Sequence, residues 1–185
     1  MNKTYTLFLL LFVSTFAFGQ SCCFVTKDDM QLMASDKAFQ RSHKLPKPYH
    51  HISKAGGEMI TFSTPDGQQA NAFYIKAAKP TKYTLFVFQE WWGLNDNIKM
   101  EADQYFKDLG DINVIAVDMY DGKVAATPDS AMKLMRGADM NRMTAIIQGA
   151  IKHAGSKASI YSVGWCFGGM WSLQTAILAG PQAKG

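Results

Sequence analysis

The sequence is short of cysteine, of clustered charge and of repeated segments. Only three of its 185 residues are cysteine, so they cannot form a disulfide framework. The formal net charge of +4 is spread along the chain, and the longest basic stretch, residues 44–47, is interrupted by Leu45 and Pro46. Nucleic-acid binding therefore has no support. The absence of internal repeats and low-complexity segments fits a single domain of ordinary composition.

Long apolar runs are missing except at the N-terminus. Residues 1–19 have the three parts of a signal peptide: a positive start at Lys3, an apolar region over residues 7–13 and a small-x-small cleavage site at residues 17–19. The apolar run is too short to span a bilayer comfortably, and a retained anchor is the alternative. We therefore expect cleavage before Gln20, a secreted or periplasmic protein and no stable membrane insertion.

Beyond this segment, apolar strand patterns alternate with helical patterns. Strands are predicted over residues 58–63, 70–76, 83–89, 112–118 and 160–163, and helices over residues 95–110, 127–137, 143–153 and 170–178. Thr64-Pro65-Asp66-Gly67 is a turn sequence, so the first two strands should form an antiparallel hairpin. The alternation predicts an α/β fold with a mostly parallel sheet covered on both faces. In such folds the ligand crevice lies beyond the carboxyl ends of the strands.

The most informative motif is Gly-Trp-Cys-Phe-Gly, at residues 164–168. Its spacing is that of a nucleophile elbow, in which a sharp strand-to-helix turn raises the nucleophile, here Cys166, above the sheet. The flanking glycines let the strand and the helix approach closely. We expect the amides of Phe167, Gly168 and Gly169 to be unpaired and to favour a thiolate and an oxyanion. The alternative is a buried cysteine that only packs the turn.

Two other features are expected at the same end of the sheet. Glu90, followed by Trp91 and Trp92, comes directly after the third predicted strand, and the loop of residues 118–123 comes after the fourth. The carboxyl ends of parallel strands meet at one edge of a sheet. We therefore expect Glu90 and this loop to converge on Cys166.

In these motifs the sequence resembles the dienelactone hydrolase family, a branch of the α/β-hydrolases with a cysteine nucleophile. The matching pieces are Gln89-Glu90, Asp118-Met119-Tyr120 and residues 164–169, in family order after the third, fourth and fifth strands. The resemblance implies a three-layer α/β-hydrolase-like fold with no metal or other cofactor. It also implies that a small-molecule lactone, ester or thioester is hydrolysed through an acyl-cysteine intermediate.

The resemblance also implies roles for individual residues. Cys166 would be the nucleophile, and Glu90 would be the carboxylate that deprotonates it when substrate arrives. The backbone N–H groups of Trp91 and Phe167 would form the oxyanion hole. The alternative for Glu90 is a solvated charge at the end of a strand.

Lys123 and Trp92 are the candidates for substrate binding. Lys123 stands near the position of a family arginine that holds a substrate carboxylate, which suggests an anionic substrate group. Trp92 suggests an apolar or aromatic pocket wall. The alternatives are a surface lysine and a tryptophan that packs its loop, and Asp118 is interpreted as a brace of the loop rather than a catalytic group.

The acid and the histidine of a Cys-His-Asp triad are missing from the expected place. In the family both follow the nucleophile, but residues 167–185 include neither His nor Asp. His153 is expected near the start of the nucleophile strand, about 20 Å from the sulfur at ~3.3 Å per residue. His50 and His51 are expected at the surface rather than in a metal site.

We therefore interpret the chain as the front portion of a longer hydrolase that lacks its final strands. As given, it should hydrolyse activated esters no faster than its Cys166→Ala variant, and the outer edge of the nucleophile strand should be open to aggregation. The predicted organisation is a signal peptide over residues 1–19, an N-terminal arm over residues 20–55 and a partial domain over residues 56–185.

A function from another class is a non-catalytic, secreted α/β-hydrolase-like binding domain that keeps the elbow for packing. Reactivity of the Cys166 thiol separates this possibility from a hydrolase, because a packed thiol is inert. A nucleotide-binding domain is disfavoured because the loops after the strands contain no glycine-rich phosphate cradle.

Overall fold

The computed structural model describes residues 32, 35–42, 44, 47 and 49–185. The predicted signal peptide over residues 1–19, together with Cys22 and Cys23, lies outside the described residues. None of the described helices has the length and apolar composition that crossing a membrane would require.

The predicted strands and helices are all present. The strands are β1 (Glu58–Ser63), β2 (Gln69–Ile75), β3 (Tyr83–Phe88), β4 (Asn113–Val117) and β5 (Ser159–Gly164). The helices of the described part are α1 (Lys37–Ser42), α2 (Asp96–Leu109), α3 (Pro128–Arg136), α4 (Met140–Ala154) and α5 (Phe167–Ala179). The strand ends agree with the prediction to within one residue. The helices α4 and α5 begin earlier than their apolar periodicity indicated.

The five strands form one sheet in the order β1-β2-β4-β3-β5. The hairpin prediction is confirmed: β1 and β2 are antiparallel, and the N–H of Gly67 donates to the carbonyl of Thr64 at 3.1 Å to close the turn. The strand β3 is parallel to both of its neighbours, β4 and β5. The central part of the sheet is therefore parallel, with an antiparallel hairpin joined through β2 to β4 at one side.

Helices cover both faces of the sheet, so the three-layer fold is confirmed. The alternation of side chains in β3 sends Leu85 and Val87 to the face that α2 covers, and Phe86 and Phe88 to the opposite face. On that opposite face the helices α3, α4 and α5 contribute the buried side chains Ala131, Met135, Met143, Ile146, Ile147, Ala150, Phe167 and Trp171. Because β3 is buried on both faces, its sequence is an almost unbroken apolar run.

The outer edge of β5 is not wholly open, contrary to the expectation. The N–H of Lys184 donates to the carbonyl of Ile160 at 2.8 Å, and the N–H of Ser162 donates to the carbonyl of Gly185 at 2.9 Å. Ile160 also forms a parallel bridge with Ala183. These contacts cover part of the edge that was expected to promote aggregation.

The N-terminal arm contacts the domain at two places. In α1, the ring of Phe39 packs edge-on against Trp91, with 5.5 Å between the ring centroids. Nearer the first strand, Nε2 of His51 lies 3.0 Å from Oδ2 of Asp103 in α2, and the His51 side chain is only 6% exposed. The prediction of a surface histidine is therefore wrong for His51. A buried polar ring needs a partner, and the helix supplies one.

Candidate active site

Cys166 occupies a strained turn between β5 and α5. Its backbone angles are φ 54° and ψ −116°, in a region that residues with a side chain rarely adopt. Such a conformation costs about 1–3 kcal/mol and persists only where the surroundings impose it. Cys166 is exposed at the surface, although its surroundings partly shield the thiol from water. This geometry is that of a presented nucleophile and not of a cysteine packed in the core.

Two glycines allow the turn to fit against the sheet. A Cβ atom added at Gly168 would lie 2.5 Å from the carbonyl oxygen of Gln89 and 2.6 Å from that of Phe88. A Cβ atom at Gly164 would overlap the backbone of Gly168. The first turn of α5 therefore lies directly against the end of β3. This contact brings Cys166 close to the segment that carries Glu90.

Only some of the amides after the nucleophile are available to an oxyanion. The N–H of Gly168 donates to the carbonyl of Trp165 at 2.8 Å, and the N–H of Gly169 donates to the carbonyl of Cys166 at 3.0 Å. The expectation that both glycine amides are unpaired is therefore wrong, because the turn uses them. In the described part of the chain, the N–H groups of Phe167 and Trp91 donate to no carbonyl oxygen. The N–H groups of Phe167 and Trp91 are the donors that were expected to form the oxyanion hole.

The environment of Cys166 favours the neutral thiol. Partial burial raises the pKa of the Cys166 thiol, and the negative charge of Glu90 raises it further. A hydrogen bond from the N–H of Phe167 acts in the opposite direction but is outweighed. A raised pKa agrees with the implied role of Glu90, which is to deprotonate Cys166 when substrate arrives, but the expected bias of the turn amides towards a thiolate is outweighed. Loss of water and a neighbouring carboxylate oppose ionisation more strongly than the hydrogen bond from Phe167 favours it.

A cleft of about 320 Å³ opens beside the elbow. It lies at the carboxyl ends of β3 and β5 and at the start of α2, and is lined by Glu90, Asn95, Asn97, Ile98, Glu101 and Trp165. Asn95 caps α2, because its Oδ1 accepts hydrogen bonds from the N–H groups of Asn97 at 3.1 Å and Ile98 at 3.2 Å. This cap fixes the start of α2 beside Glu90.

The structure places the two predicted substrate-binding residues away from this cleft. The side chain of Trp92 is 1% exposed and packs against Trp91 in the core, with 5.1 Å between the ring centroids. Lys123 is exposed on its loop, and only its backbone approaches Gly93. Neither residue is among those that line the cleft. An aromatic pocket wall is present, but Trp165 forms it.

The loop after β4 is braced as predicted. Asp118 accepts hydrogen bonds from the N–H of Tyr120 at 3.0 Å and from the N–H of Gly122 at 2.5 Å. Burial raises the pKa of the Asp118 carboxyl. Farther along the loop, Oδ1 of Asp121 is held 2.6 Å from Nη2 of Arg142 in α4. Asp118 is thus a structural residue of this loop, and its carboxylate is occupied by backbone donors.

No described histidine lines the cleft. His153 contacts the rings of Phe62 and Tyr74 on the side of the sheet that carries the hairpin, at 5.8 Å and 5.7 Å between centroids. Among the described residues there is also no group of three or more His, Cys, Asp or Glu side chains that could hold a metal ion.

Of the six residues that line the cleft, sequence reasoning predicted only Glu90 as a site residue and missed Asn95, Asn97, Ile98, Glu101 and Trp165. A signal for Glu101 was available, because it follows Asn97 by four residues on the helix that starts directly after Glu90. Trp165 lies inside the elbow motif, but its orientation depends on stacking with Tyr105, at 6.3 Å between ring centroids. That contact is not visible in the sequence.

Comparison with known proteins places the chain in one group of hydrolases. The sequence pattern of the dienelactone hydrolase family matches residues 70–185. Protein usf of Aquifex pyrophilus is 31% identical over 131 residues, which cover 65% of this chain and 55% of that protein. The solved structure named m3DLH has a TM-score of 0.55 at 23% identity and 69% coverage of this chain, but only 55% of that chain is covered.

A dienelactone hydrolase-like promiscuous phosphotriesterase from metagenomic libraries has a TM-score of 0.51 at 25% identity. The match covers 69% of this chain and 56% of that enzyme. The chain therefore spans little more than half the length of the relatives that it matches.

The close contact between α5 and β3 generates the first prediction. Replacing Gly168 by Ala should lower the free energy of unfolding by about 1–3 kcal/mol, because the added methyl group overlaps two carbonyl oxygens. The control is Gly169→Ala, where the nearest atom to the new methyl group would be the carbonyl oxygen of Gly164 at 3.5 Å. Urea unfolding, followed by tryptophan fluorescence, measures the free energy of unfolding of both variants. Equal loss of stability in the two variants would contradict the close approach of Gly168 in α5 to the end of β3.

The second prediction concerns the pH dependence of Cys166 alkylation. In a Cys22→Ser/Cys23→Ser background, the iodoacetamide rate should rise with pH and have a midpoint above that of a free cysteine, because the folded pKa is raised. Removing the charge with Glu90→Gln should lower the midpoint by about half a pH unit or more. Glu58→Gln, on β1, is the control and should leave the midpoint unchanged. A midpoint below that of free cysteine would show that the pKa of the Cys166 thiol is not raised.

Proposed function

Because the chain belongs to the dienelactone hydrolase family, we propose that it cleaves a lactone, ester or thioester by attack of Cys166 on the carbonyl carbon. The observation that carries this proposal is the exposed Cys166 side chain at a strained elbow beside a cleft that Glu90 lines. A cysteine kept only for packing would be buried, so this exposure argues against the non-catalytic alternative.

The first step is a proton transfer. The Cys166 thiol is neutral at rest, and Glu90 is the carboxylate whose charge acts on it. A substrate that enters the cleft displaces water from Glu90, which makes the carboxylate more basic, since desolvation disfavours its charged form. The thiol proton then moves to Glu90 as the sulfur attacks. The nucleophile is thereby generated only when substrate is present.

The second step transfers the acyl group. As the sulfur–carbon bond forms, the carbonyl oxygen becomes an oxyanion, and the N–H groups of Phe167 and Trp91 are the two donors available to it. Each such donor is worth about 10²-fold or more in rate. The tetrahedral intermediate collapses, the leaving oxygen or sulfur takes the proton from Glu90, and the acyl group remains on Cys166 as a thioester.

We also propose that this chain does not turn over efficiently. Hydrolysis of the acyl-cysteine needs a base that activates water near neutral pH, a role that histidine fills in triads. Residues 167–185 contain neither His nor Asp, and none of the described histidines lines the cleft. Acylation without sustained hydrolysis is the expected behaviour.

A single-turnover experiment tests these steps. With 4-nitrophenyl butyrate, the Cys22→Ser/Cys23→Ser chain should gain one acyl group at Cys166, detected by intact mass and peptide mapping. Cys166→Ala should gain none, and Glu90→Gln should acylate about 10²-fold more slowly. Steady release of 4-nitrophenol after the burst should match that of Cys166→Ala.

Two results would contradict the proposal. Absence of an adduct at Cys166 would remove the nucleophile assignment. Rapid, Cys166-dependent steady-state hydrolysis would instead disprove the proposed lack of turnover and would require another base.

We further propose that residues 1–19 direct export and that the mature protein starts at Gln20. The support is the charge, apolar run and cleavage site of this segment. After expression in a Gram-negative host, the mass of the exported protein should correspond to a chain that begins at Gln20. Leu10→Arg should retain the precursor in the cytosol, because it interrupts the apolar region. An uncleaved protein that starts at Met1 in every fraction would contradict export.

A further inference from the structure

The described wall of the cleft beside the elbow contains acidic side chains but no basic ones. Two of its lining residues, Glu90 and Glu101, are carboxylates, and the other four are uncharged. No Lys, Arg or His of the described chain lines it. The charge of Glu90 also raises the pKa of the Cys166 thiol, so the field of this carboxylate reaches the reacting atom.

Two basic side chains near the cleft are engaged by the carboxylate of Asp96. In α2, Nζ of Lys99 lies 2.8 Å from Oδ1 of Asp96, and Nδ1 of His50 lies 3.3 Å from Oδ2 of the same residue. Lys123 is exposed on its loop and is not part of the cleft wall. None of these basic side chains lines the cleft, where it could hold a substrate carboxylate.

The uncharged part of the wall suits an ammonium group. Trp165 lines the cleft and stacks on Tyr105, with an angle of 30° between the ring planes. An aromatic face combined with nearby carboxylates is the usual environment in which proteins bind alkylammonium groups. Ile98 adds an apolar contact for the carbon atoms of such a group.

We propose that the part of the substrate that occupies this cleft bears no carboxylate, and that a cationic group there is preferred over a neutral one. This inference rests on the proposed function, because it concerns the substrate of the same site. It is opposite to the anionic substrate that Lys123 suggested. The preferred substrates are thus neutral esters and esters with an alkylammonium group on the acyl chain.

The expected size of the preference follows from Coulomb's law. A unit charge about 8 Å from one carboxylate, at an effective dielectric constant of about 40, changes a rate about fivefold. One carboxylate should therefore speed the reaction of a cationic reagent about fivefold and slow that of an anionic reagent about fivefold. The rates of cationic and anionic reagents of equal size should thus differ about 25-fold for each carboxylate. The measurements belong at low ionic strength, because physiological salt screens charges over about 8 Å.

Charged thiol reagents test this without any need for turnover. Cys166 attacks a methanethiosulfonate to form a mixed disulfide and release methanesulfinate. The three probes carry trimethylammonioethyl, hydroxyethyl or sulfonatoethyl groups, and rates are measured in the Cys22→Ser/Cys23→Ser chain. The quantity compared is the ratio of the rate constants of two probes, because a change in the thiolate fraction of Cys166 affects all probes equally. The same ratios are measured with a small neutral thiol in solution, which corrects for differences in the intrinsic reactivity of the probes.

After correction with the small neutral thiol, we expect the cationic probe to react fastest with Cys166 and the anionic probe slowest, with a ratio of rate constants of at least about 25. Glu101→Gln should lower this ratio about 25-fold. Asp108→Asn removes one charge from the exposed far end of the same helix and serves as the matched control, with a change of less than about twofold. Acylation by 4-nitrophenyl esters of trimethylammoniobutyrate, pentanoate and glutarate should follow the same order.

The outcomes separate the two proposals. If no probe modifies Cys166, the proposed nucleophile fails, and the inference fails with it. If all three probes modify Cys166 with the ratios of the free thiol, only the charge preference is overturned. A preference for the anionic probe that is lost in Lys123→Gln would also overturn it and would assign anion binding to Lys123.

Discussion

The site depends on the contact between the first turn of α5 and the end of β3. Gly168 lies against the carbonyl groups of Phe88 and Gln89 with no space for a methyl group. Because the helix starts there, the residue before it must turn sharply, and Cys166 takes the left-handed conformation that presents its side chain. The same contact places Cys166 beside the segment that carries Glu90. Glu90 lines the cleft beside the elbow, and its charge acts on the Cys166 thiol.

The topology of the sheet makes this cleft possible. After β3 the chain crosses over α2 to β4 on one side, and later reaches β5 on the other side of β3. The helices that follow β3 and β4 cover opposite faces of the sheet. They leave a crevice at the carboxyl end of β3, as expected where the strand order reverses. Glu90, Trp165 and the start of α2 surround this crevice.

Contacts outside the cleft hold its walls. Asp103 of α2 binds His51 and accepts a hydrogen bond from Ser53, at 2.8 Å, so the segment before β1 is tied to the helix that lines the cleft. Arg142 joins the hairpin turn at Asp66 to the loop after β4 at Asp121. The α2 helix is therefore held by hydrogen bonds to Asp103, and this loop is held by ion pairs of Arg142 whose loss would leave a partly buried charge without its partner.

Local sequence signals predicted the elements and much of the site. Apolar runs marked the strands, the predicted helix over residues 95–110 and the one over residues 127–137 begin at the capping residues Asn95 and Thr127, and the glycines at the elbow indicated a close approach of strand and helix. These signals are reliable because short-range sterics and hydrogen bonding determine them. The identification of Glu90 beside Cys166 also needed only the order of the strands and the direction in which they run.

The sequence by itself determined the elbow, the layered fold and the candidate nucleophile with its neighbouring acid, because each follows from local backbone requirements and strand order. Only the tertiary structure decided the raised pKa of the Cys166 thiol, the burial of Trp92 and His51, and the side chains that line the cleft. These properties depend on desolvation and on side chains that approach one another from distant parts of the chain. A local sequence pattern does not show which distant side chains approach one another or which groups lose contact with water.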